Sequence, residues 1–384
     1  MEVKKLKDCC TIIAGQSPES KYYNTAGDGL PFFQGKADFG ELYPSIRVYC
    51  SQPTKIAEKD DILLSVRAPV GPTNLAPCKV CIGRGLTAIR PSEALLTRYV
   101  LLYFRSFEAQ LASKGTGTTF KAITQDVVKN LEIPIPPTPE QERIVARIEE
   151  LFSQLDAGVE TLKKTRAQLA VYRQAVLKEA FESVIPESNT CNVEDVCKEI
   201  KVGIVIKPAQ YYTSADTGVR AFRSANVREF AVNDSDWVYL TKAGHEANLR
   251  SEVHTGDVLV VRSGYPGTAC VVPATYNGCN AIDILIAVPD AERILPEYLC
   301  AYTNSPLGRR IVQEKKRGVA QAHFNVSGYS KTPIIVPCLE TQKRVVAEIE
   351  SRLSACDSIE QTVDAALQQA EAMRQIILNQ VFER

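Results

Sequence analysis

Long hydrophobic runs are absent from this sequence of 384 residues. No apolar stretch approaches the roughly 18 residues that a membrane-spanning helix needs, and Met1–Leu6 leads into no signal-peptide core. We therefore predict a soluble, cytoplasmic chain. Net charge is absent as well, since 45 basic residues balance 45 acidic ones. This balance argues against non-specific polyanion binding as the whole function.

Histidine is scarce, with three residues in the chain, whereas cysteine is plentiful, with twelve. The cysteines show no dense framework spacing, so we predict reduced thiols. Cys78 and Cys81 have the spacing of half a zinc site, but no second Cys pair or His pair accompanies them. Small buried cysteines are the favoured interpretation, and no metal site is predicted.

Catalytic motifs are also missing. The chain contains no Asn/Asp-Pro-Pro-Tyr/Phe adenine-methylation motif, no phosphate-binding loop and no convincing pair of nucleophile and histidine. One nuclease pattern matches literally, with Asp290 followed by Glu314 and Lys316. The last two residues are predicted at the end of a helix, whereas that pattern needs adjoining strands around a metal. A non-catalytic chain is favoured, and a nuclease stays an alternative.

What the sequence does contain is one large internal repeat. Residues 130–149 return as residues 331–350, at an offset of 201 positions. In each copy a β-branched strand ends at an arginine before a Gly/Pro turn, with Arg67 in the first copy and Arg262 in the second. In both copies a second strand that ends in proline follows. After it comes a helix-like stretch, at residues 95–113 in the first copy and 296–316 in the second. The repeat is domain-sized, so we predict two mixed α/β domains and not a solenoid.

A long heptad pattern follows each copy. From Pro139, apolar residues at 3,4 spacing predict one long helix, and the second copy continues in the same phase. A whole domain separates the two helices, so an antiparallel coiled coil is favoured. Residues 133–137 are predicted to form a stiff proline joint, and residues 184–190 an ordinary linker. The predicted seam consists of Ile144, Ile148, Leu151, Leu155, Leu162, Leu169, Tyr172, Val176, Val345, Ile349, Ile359, Val363, Met373 and Ile377.

The proline-rich exit, the Glu140-Gln141-Glu142-Arg143 helix start and the recurrence of the whole unit resemble the specificity subunit of Type I restriction-modification enzymes. The second copy departs from this helix start with Glu340-Thr341-Gln342-Lys343-Arg344. The resemblance implies that each α/β domain reads one half of a bipartite site in double-stranded DNA. It also implies that the helices space the domains and dock two methyltransferase subunits, to which restriction subunits attach. S-adenosylmethionine, ATP and Mg are implied on the partner subunits and no cofactor on this chain.

The repeat, the proline joints and the heptad patterns divide the chain into four segments, whose names follow from the resemblance. The first target-recognition domain covers residues 1–137, and the first long helix covers residues 138–183. The second target-recognition domain covers residues 184–337, and the second long helix covers residues 338–384. A scaffold whose paired helices join protein partners without DNA contact stays an alternative.

DNA bases are read by side chains with forked donors or paired donor and acceptor groups, and phosphates by cations and small polar groups. Two loops just before the proline joints, residues 114–121 and 315–325, combine such groups with glycine. In the first domain the candidates are Gln34, Lys36, Arg47, Arg67, Arg84, Lys114, Thr116, Thr118, Thr119 and Lys121. In the second they are Arg220, Arg223, Asn226, Arg228, Arg262, Tyr265, Lys315, Lys316, Arg317, Gln321, His323 and Asn325.

These candidates differ between two copies whose strands and helices match. Different side chains on one scaffold predict an asymmetric, two-part DNA target. The alternative for Arg67 and Arg262 is that they are surface or salt-bridged arginines at strand ends.

Overall fold

The computed structural model describes residues 2–115, 122–310 and 325–382. The chain divides into two compact units. Unit 1 contains Met1–Lys163 and Asp364–Arg384, and unit 2 contains Lys164–Val363. No helix in the described part of the chain is both long and apolar enough to span a membrane.

Unit 1 is a mixed α/β structure. Its elements are β1 (Glu2–Lys5), α1 (Leu6–Cys9), β2 (Cys10–Ala14), β3 (Tyr23–Asn24), β4 (Leu30–Phe33), β5 (Tyr49–Cys50), β6 (Ile56–Ala57), β7 (Ile62–Ser65), β8 (Thr73–Leu75), β9 (Val80–Ile82), β10 (Leu86–Pro91), α2 (Thr97–Ser106), α3 (Glu108–Ser113), α4 (Gln125–Lys129), β11 (Glu132–Ile135) and the first part of α5 (Thr138–Glu182). One sheet has the order β2-β10-β7-β8 and is antiparallel. A second has the order β3-β5-β4-β9-β6.

The core of unit 1 lies on both faces of strand β7, all four of whose residues are buried. Leu63 packs with Phe33 and Ile82 on one face, and Leu64 packs on the other face with Tyr99 of α2. A strand buried on both faces is continuously apolar, which explains the uninterrupted run Ile62–Leu64.

Unit 2 repeats this plan. Its elements are β12 (Asn189–Asn192), β13 (Cys197–Val202), β14 (Tyr212–Thr213), β15 (Val219–Phe222), β16 (Val227–Arg228), β17 (Ala231–Val232), β18 (Val238–Leu240), α6 (Lys242–Glu246), β19 (Val258–Val261), β20 (Ala269–Val271), β21 (Asn280–Ala281), β22 (Ile284–Pro289), α7 (Pro296–Asn304), α8 (Val326–Ser330), β23 (Pro333–Val336) and the first part of α9 (Leu339–Phe382). The antiparallel sheet β13-β22-β19-β20 has the same order as β2-β10-β7-β8 of unit 1.

Both proline-rich joints are strands in two-stranded sheets. β11 pairs with β1, with Pro134 opposite Val3, and β23 pairs with β12, with Ile335 opposite Thr190. Proline is tolerated because each strand has a pairing partner on one side only. The linker predicted over residues 184–190 is wrong in its second part, because β12 begins at Asn189.

The two long helices run in opposite directions within unit 2. Arg173 of α5 pairs with Asp357 of α9 at 2.5 Å, and Glu179, further along α5, pairs with Arg352, earlier in α9, at 2.9 Å. Rising numbers on one helix therefore meet falling numbers on the other.

The first of these ion pairs has a counterpart in unit 1. There Arg374 of α9 pairs with Asp156 of α5. Arg374 lies 201 positions after Arg173, and Asp357 lies 201 positions after Asp156. The same pair thus forms in each unit with the helices exchanged.

The residues of the predicted seam are not all buried to the same degree between the two long helices. Most of these residues are buried or half-buried, whereas Tyr172, Ile359 and Met373 are 45%, 46% and 49% exposed and therefore lie at the edge of the seam. A straight helix with 3.6 residues per turn drifts away from a 3.5-residue repeat, which moves some heptad positions to the flank. At this flank the Arg352 guanidinium lies over the Tyr172 ring, 5.6 Å from its centre. The buried seam residues are Ile144, Ile148, Leu169, Val176, Val345, Ile349 and Val363, and the half-buried ones are Leu151, Leu155, Leu162 and Ile377.

Candidate DNA interface

Three predicted contact residues of unit 1 meet at one corner, where β4 ends and β9 turns into β10. A Cβ atom on Gly85 would lie 2.3 Å from the carbonyl oxygen of Gln34, so this close approach requires glycine. On the other side, the backbone N–H of Val66 donates to the Gly85 carbonyl at 3.0 Å. Gln34, Arg67 and Arg84 are therefore neighbours, and all three are exposed. We call these three residues the unit 1 corner.

Lys36 and Arg47 lie beside this corner. Lys36 is exposed in the 3-10 turn Lys36–Asp38. The Arg47 guanidinium holds this turn, because its Nε donates to Asp38 Oδ1 at 3.0 Å and its Nη2 donates to the Ala37 carbonyl at 2.9 Å. The Lys36 side chain takes no part in these hydrogen bonds. Arg47, in contrast, would have to release Asp38 before its guanidinium could donate the same hydrogen bonds to DNA.

Lys114 ends the helical region of unit 1 that precedes the first predicted loop. It is exposed and lines a cavity of about 330 Å³ together with Tyr103 and Asn130. The remaining residues predicted in this loop, Thr116, Thr118, Thr119 and Lys121, lie outside the described residues.

The equivalent corner of unit 2 carries different chemistry. Ile82 pairs with Phe33 in unit 1 as Ala281 pairs with Phe222 in unit 2, so Asp283 takes the place of Arg84 and Arg223 that of Gln34. The Arg262 guanidinium donates to Asp283 at 2.5 Å and is mostly buried. The salt-bridged alternative thus describes Arg262. We call Arg223, Arg262 and Asp283 the unit 2 corner.

A cleft of about 590 Å³ lies beside the unit 2 corner. The turn between β19 and β20 presents Tyr265 with 86% of its surface exposed, and Gly264 and Gly267 give this turn its positive φ angles of 81° and 86°. Arg228, also exposed, lines the same cleft. An aromatic ring and a guanidinium on one cleft can stack on a base and contact its edge.

Glu229 and Arg309 line this cleft as well, and they were missed in the sequence. Their side chains form an ion pair at 2.8 Å. Arg309 stands 80 residues from Glu229 in the chain, so no local pattern could have joined them.

Asn226 is wrong as a predicted DNA contact. It is 0% exposed, its amide donates to the Ser235 carbonyl at 2.8 Å, and its Oδ1 accepts from the Arg223 backbone N–H at 2.9 Å. Its donor and acceptor groups, which suggested base recognition, are used to hold a turn. The Arg223 side chain likewise donates to the carbonyl of Asp236.

Arg220 is placed against aromatic rings. Its guanidinium lies 5.5 Å from the centre of the Trp237 ring and 3.9 Å from Asp234. The Trp237 indole N–H donates to Asp234 at 2.6 Å. That bond, the Tyr276 hydroxyl and the Arg220 charge lower the pKa of the exposed Asp234 carboxyl. Arg220 therefore belongs to a small structural cluster.

Asn325 caps a helix. Its side-chain oxygen accepts from the Gly328 backbone N–H at 2.8 Å at the start of α8, as Thr124 caps α4 in unit 1. The other residues predicted in the second loop, Lys315, Lys316, Arg317, Gln321 and His323, lie outside the described residues.

Over residues 2–115, 122–310 and 325–382, no three His, Cys, Asp or Glu side chains are grouped to hold a metal ion. Cys81 of the predicted half-site is fully buried, and burial raises the pKa of its thiol. Of the nuclease pattern, Asp290 pairs with Arg293 at 3.7 Å, and Glu314 and Lys316 lie outside the described residues.

A family model and several known proteins are similar to this chain, and the family match lies in its N-terminal part. The family described as Type I restriction modification DNA specificity domain matches residues 1–169. The type I restriction enzyme MjaX specificity subunit of Methanocaldococcus jannaschii is 40% identical over 167 residues, 43% of this chain and 38% of that protein. This match therefore spans well under half of the relative's length.

Two further proteins are similar to the chain. The type I restriction enzyme EcoKI specificity subunit of Escherichia coli K12 is 24% identical over 327 residues, which cover 80% of this chain and 69% of that subunit. A crystal structure of the HsdS subunit from Thermoanaerobacter tengcongensis is 47% identical over 41% of this chain and 38% of that one, with a TM-score of 0.38.

Proposed function

We propose that this chain is the DNA-reading subunit of a type I restriction-modification complex, because residues 1–169 match the family described as Type I restriction modification DNA specificity domain. Each unit contacts one half of a bipartite, asymmetric site in double-stranded DNA. The chain itself is non-catalytic. Adenine methylation with S-adenosylmethionine, and restriction with ATP and Mg, take place on partner subunits.

The observation that carries this proposal is the difference between the two corners. Both are built on the same strand positions, yet one presents Gln34, Arg67 and Arg84. The other holds the mostly buried Arg262 paired with the carboxylate of Asp283. A scaffold protein has no need to keep the frame and change the exposed donors, whereas two readers of different half-sites do.

The long helices serve as the spacer and as the docking surface for two methyltransferase subunits, through which restriction subunits attach. The repeated pairs Arg173–Asp357 and Arg374–Asp156 support this assignment. They give each unit an equivalent ion pair between the two helices, and two copies of one partner need two equivalent surfaces.

The direct test uses the full chain together with its methyltransferase subunit and S-adenosylmethionine. Mapping of N6-methyladenine in DNA exposed to this complex should reveal one motif made of two unlike half-sites and a fixed gap. If the complex methylates no DNA, the proposed function is wrong.

A second test separates a DNA reader from a scaffold. Replacement by alanine of Lys114, Lys121, Lys315 and Lys316 should weaken DNA binding. It should also reduce the slope of the logarithm of the binding constant against the logarithm of salt concentration, because fewer counterions are released when phosphate contacts are lost. The matched control replaces four exposed cations of the α5 helix, Arg143, Arg147, Lys163 and Lys178, and should leave the salt slope unchanged. Equal slopes in both variants would favour the scaffold.

The nuclease alternative predicts something else. The lone chain would cleave DNA in a metal-dependent reaction, and Glu314→Ala would abolish the cleavage. We expect no cleavage by the lone chain.

A further inference from the structure

Two buried glutamines stand at equivalent positions at the start of the long helices. Gln141 in α5 and Gln342 in α9 are 201 positions apart, and both are 0% exposed. Each lies in the first turn of a helix whose neighbouring residues are polar and mostly exposed. A primary amide is costly to bury unless its hydrogen bonds are replaced, so the same choice in both copies needs a reason.

The hydrogen bonds of Gln141 connect three parts of unit 1. Its Nε2 donates to the carbonyl of Ala94 and to that of Pro136, each at 2.8 Å, and its Oε1 accepts from the backbone N–H of Leu96, also at 2.8 Å. Ala94 and Leu96 lie in the turn that enters α2 of the domain, and Pro136 lies in the proline joint. One side chain thus ties the domain and the joint to the long helix.

Gln342 repeats this set in unit 2. Its Nε2 donates to the carbonyls of Arg293 and Pro337, and its Oε1 accepts from the backbone N–H of Leu295, all at 2.9 Å. The surrounding helix start differs between the copies, with Glu142 in one and Lys343 in the other. The glutamine and its three bonds are kept where neighbouring side chains change.

A tyrosine adds a fourth tie in each unit. The Tyr99 hydroxyl of α2 donates to the Pro134 carbonyl at 3.0 Å, and the Tyr298 hydroxyl of α7 donates to the Ile335 carbonyl at 2.9 Å. The tyrosine therefore connects the helix of the domain to the joint strand by a hydrogen bond. The glutamine connects the domain and the joint to the long helix. Such a set of bonds leaves the domain little freedom to turn on its helix.

We propose that Gln141 and Gln342 are positioning residues that fix the angle of each recognition domain on its long helix and so fix the gap between the two DNA half-sites. This inference rests on the proposed function. Neither glutamine touches DNA. A domain released from this tie samples several angles and accepts half-sites at more than one separation.

The test measures the gap length, which a general loss of folded protein would not change. The full chain is combined with its methyltransferase subunit, and methyladenine is mapped genome-wide with wild type, Gln141→Ala and Gln342→Ala. With the wild-type gap called n, the variants should raise methylation at gaps of n−1 and n+1 relative to n by at least tenfold. Gln168→Ala, an exposed glutamine of α5, serves as the control and should keep the wild-type ratio.

Two outcomes would overturn the inference. If either alanine variant accumulates and keeps the wild-type ratio, that glutamine does not position its domain. If the alanine variants do not accumulate, Gln141→Glu and Gln342→Glu replace them, because glutamate keeps the volume and the acceptor for Leu96 or Leu295 but loses both donors. An unchanged ratio in these variants rejects the inference equally. Failure of the wild-type complex to give any bipartite motif would instead reject the proposed function.

Discussion

The two arginines at equivalent strand ends have different surroundings in the two units. Arg67 is exposed at its corner, whereas Arg262 is mostly buried and tied to Asp283 at 2.5 Å. A guanidinium held by a carboxylate has fewer donors left for a base edge than one that faces solvent. Sequence specificity in unit 1 should therefore depend more directly on its corner arginines than specificity in unit 2 does on Arg262.

Arg84→Ala should weaken recognition of one half-site only. If Arg84 contacts a base edge, its loss costs about 1 to 3 kcal/mol and relaxes the preference at one position. The measurement is methyladenine mapping, in which one half of the motif should broaden and the other half should stay unchanged. Arg98→Ala, an exposed arginine on α2 of the same unit, is the control. Broadening of both halves, or of neither, contradicts the assignment of Arg84 to unit 1 recognition.

A buried thiol in unit 2 predicts a pH dependence of stability. Burial raises the pKa of Cys279 from 9.0 to about 11, although the nearby Arg220 lowers it. Between these values the unfolded chain loses the thiol proton and the folded chain keeps it. The thiol therefore contributes its full stabilising effect below pH 9 and loses it as the pH rises to about 11.

A shift of this size corresponds to about 3 kcal/mol, from about 1.4 kcal/mol per pKa unit, and the remaining solvent contact of the thiol reduces the effect to roughly 2 kcal/mol. Cys279→Ala should flatten the decline in the free energy of unfolding between pH 9 and pH 11 by that amount. The measurement is urea unfolding of the wild type and of Cys279→Ala at several pH values. The other buried thiols and tyrosines contribute equally to the two proteins, so the difference between their pH profiles reports Cys279. Parallel pH profiles would show that Cys279 does not titrate in this way.

At the scale of elements, the spacing of apolar residues along the chain predicted the strands and helices that depend on local sequence. The strands at Ile62–Ser65 and Ile284–Pro289 and the long helices followed from apolar spacing and are present. The helix predicted over residues 95–113 is instead two helices that meet at Phe107. Spacing shows that residues share a face but not that the helix bends between them.

Long-range pairings were not predictable in this way. The sequence predicted a stiff proline joint, but it did not predict that β11 in this joint pairs with β1, about 130 residues earlier. Asn226 looked like a base reader because its amide has both a donor and an acceptor, and the same two groups let it hold a turn instead. Residue type gives the chemistry of a side chain, but only the fold decides what it faces.

The length of the helix pair should set the gap between half-sites. One heptad inserted into both helices, between the Asp156–Arg374 pair and the Arg173–Asp357 pair, adds about 10 Å. This should widen the gap by about 3 base pairs, at roughly 3.4 Å each. Methyladenine mapping gives the gap directly.

The control for this experiment is an insertion in one helix alone. It shifts the ion pairs out of register and should reduce methylation without producing a new, longer gap. A gap that stays unchanged after the double insertion would show that the helices are not the ruler.

At the scale of the whole chain, the ends of the two long helices occupy equivalent positions, each packed against the domain of one unit. In unit 1 the Phe382 ring lies 5.5 Å from Tyr99, and in unit 2 the Phe181 ring lies 5.2 Å from Tyr298. Phe382 follows Phe181 by 201 positions. Each unit therefore consists of a domain, the start of one helix and the end of the other.

This exchange predicts how half of the chain behaves. Residues 1–183 contain the domain of unit 1 and all of α5 but lack the end of α9 that covers Tyr99. A second copy can supply the missing part, with its Phe181 in the place of Phe382 and its Arg173 paired with Asp156. Because each copy gives what the other lacks, the contact is reciprocal and closes as a two-fold dimer.

The dimer of residues 1–183 should carry two identical readers, so its target should be an inverted repeat of the half-site that unit 1 reads. Light scattering should give twice the fragment mass, and the fragment with the methyltransferase subunit should methylate such repeats. Arg173→Glu should weaken the dimer, because it faces the carboxylate of Asp156 with a like charge, and Asp156→Arg in the same chain should restore it. A fragment that stays monomeric and binds no DNA, or a double variant no better than Arg173→Glu, would contradict this exchange of helix ends.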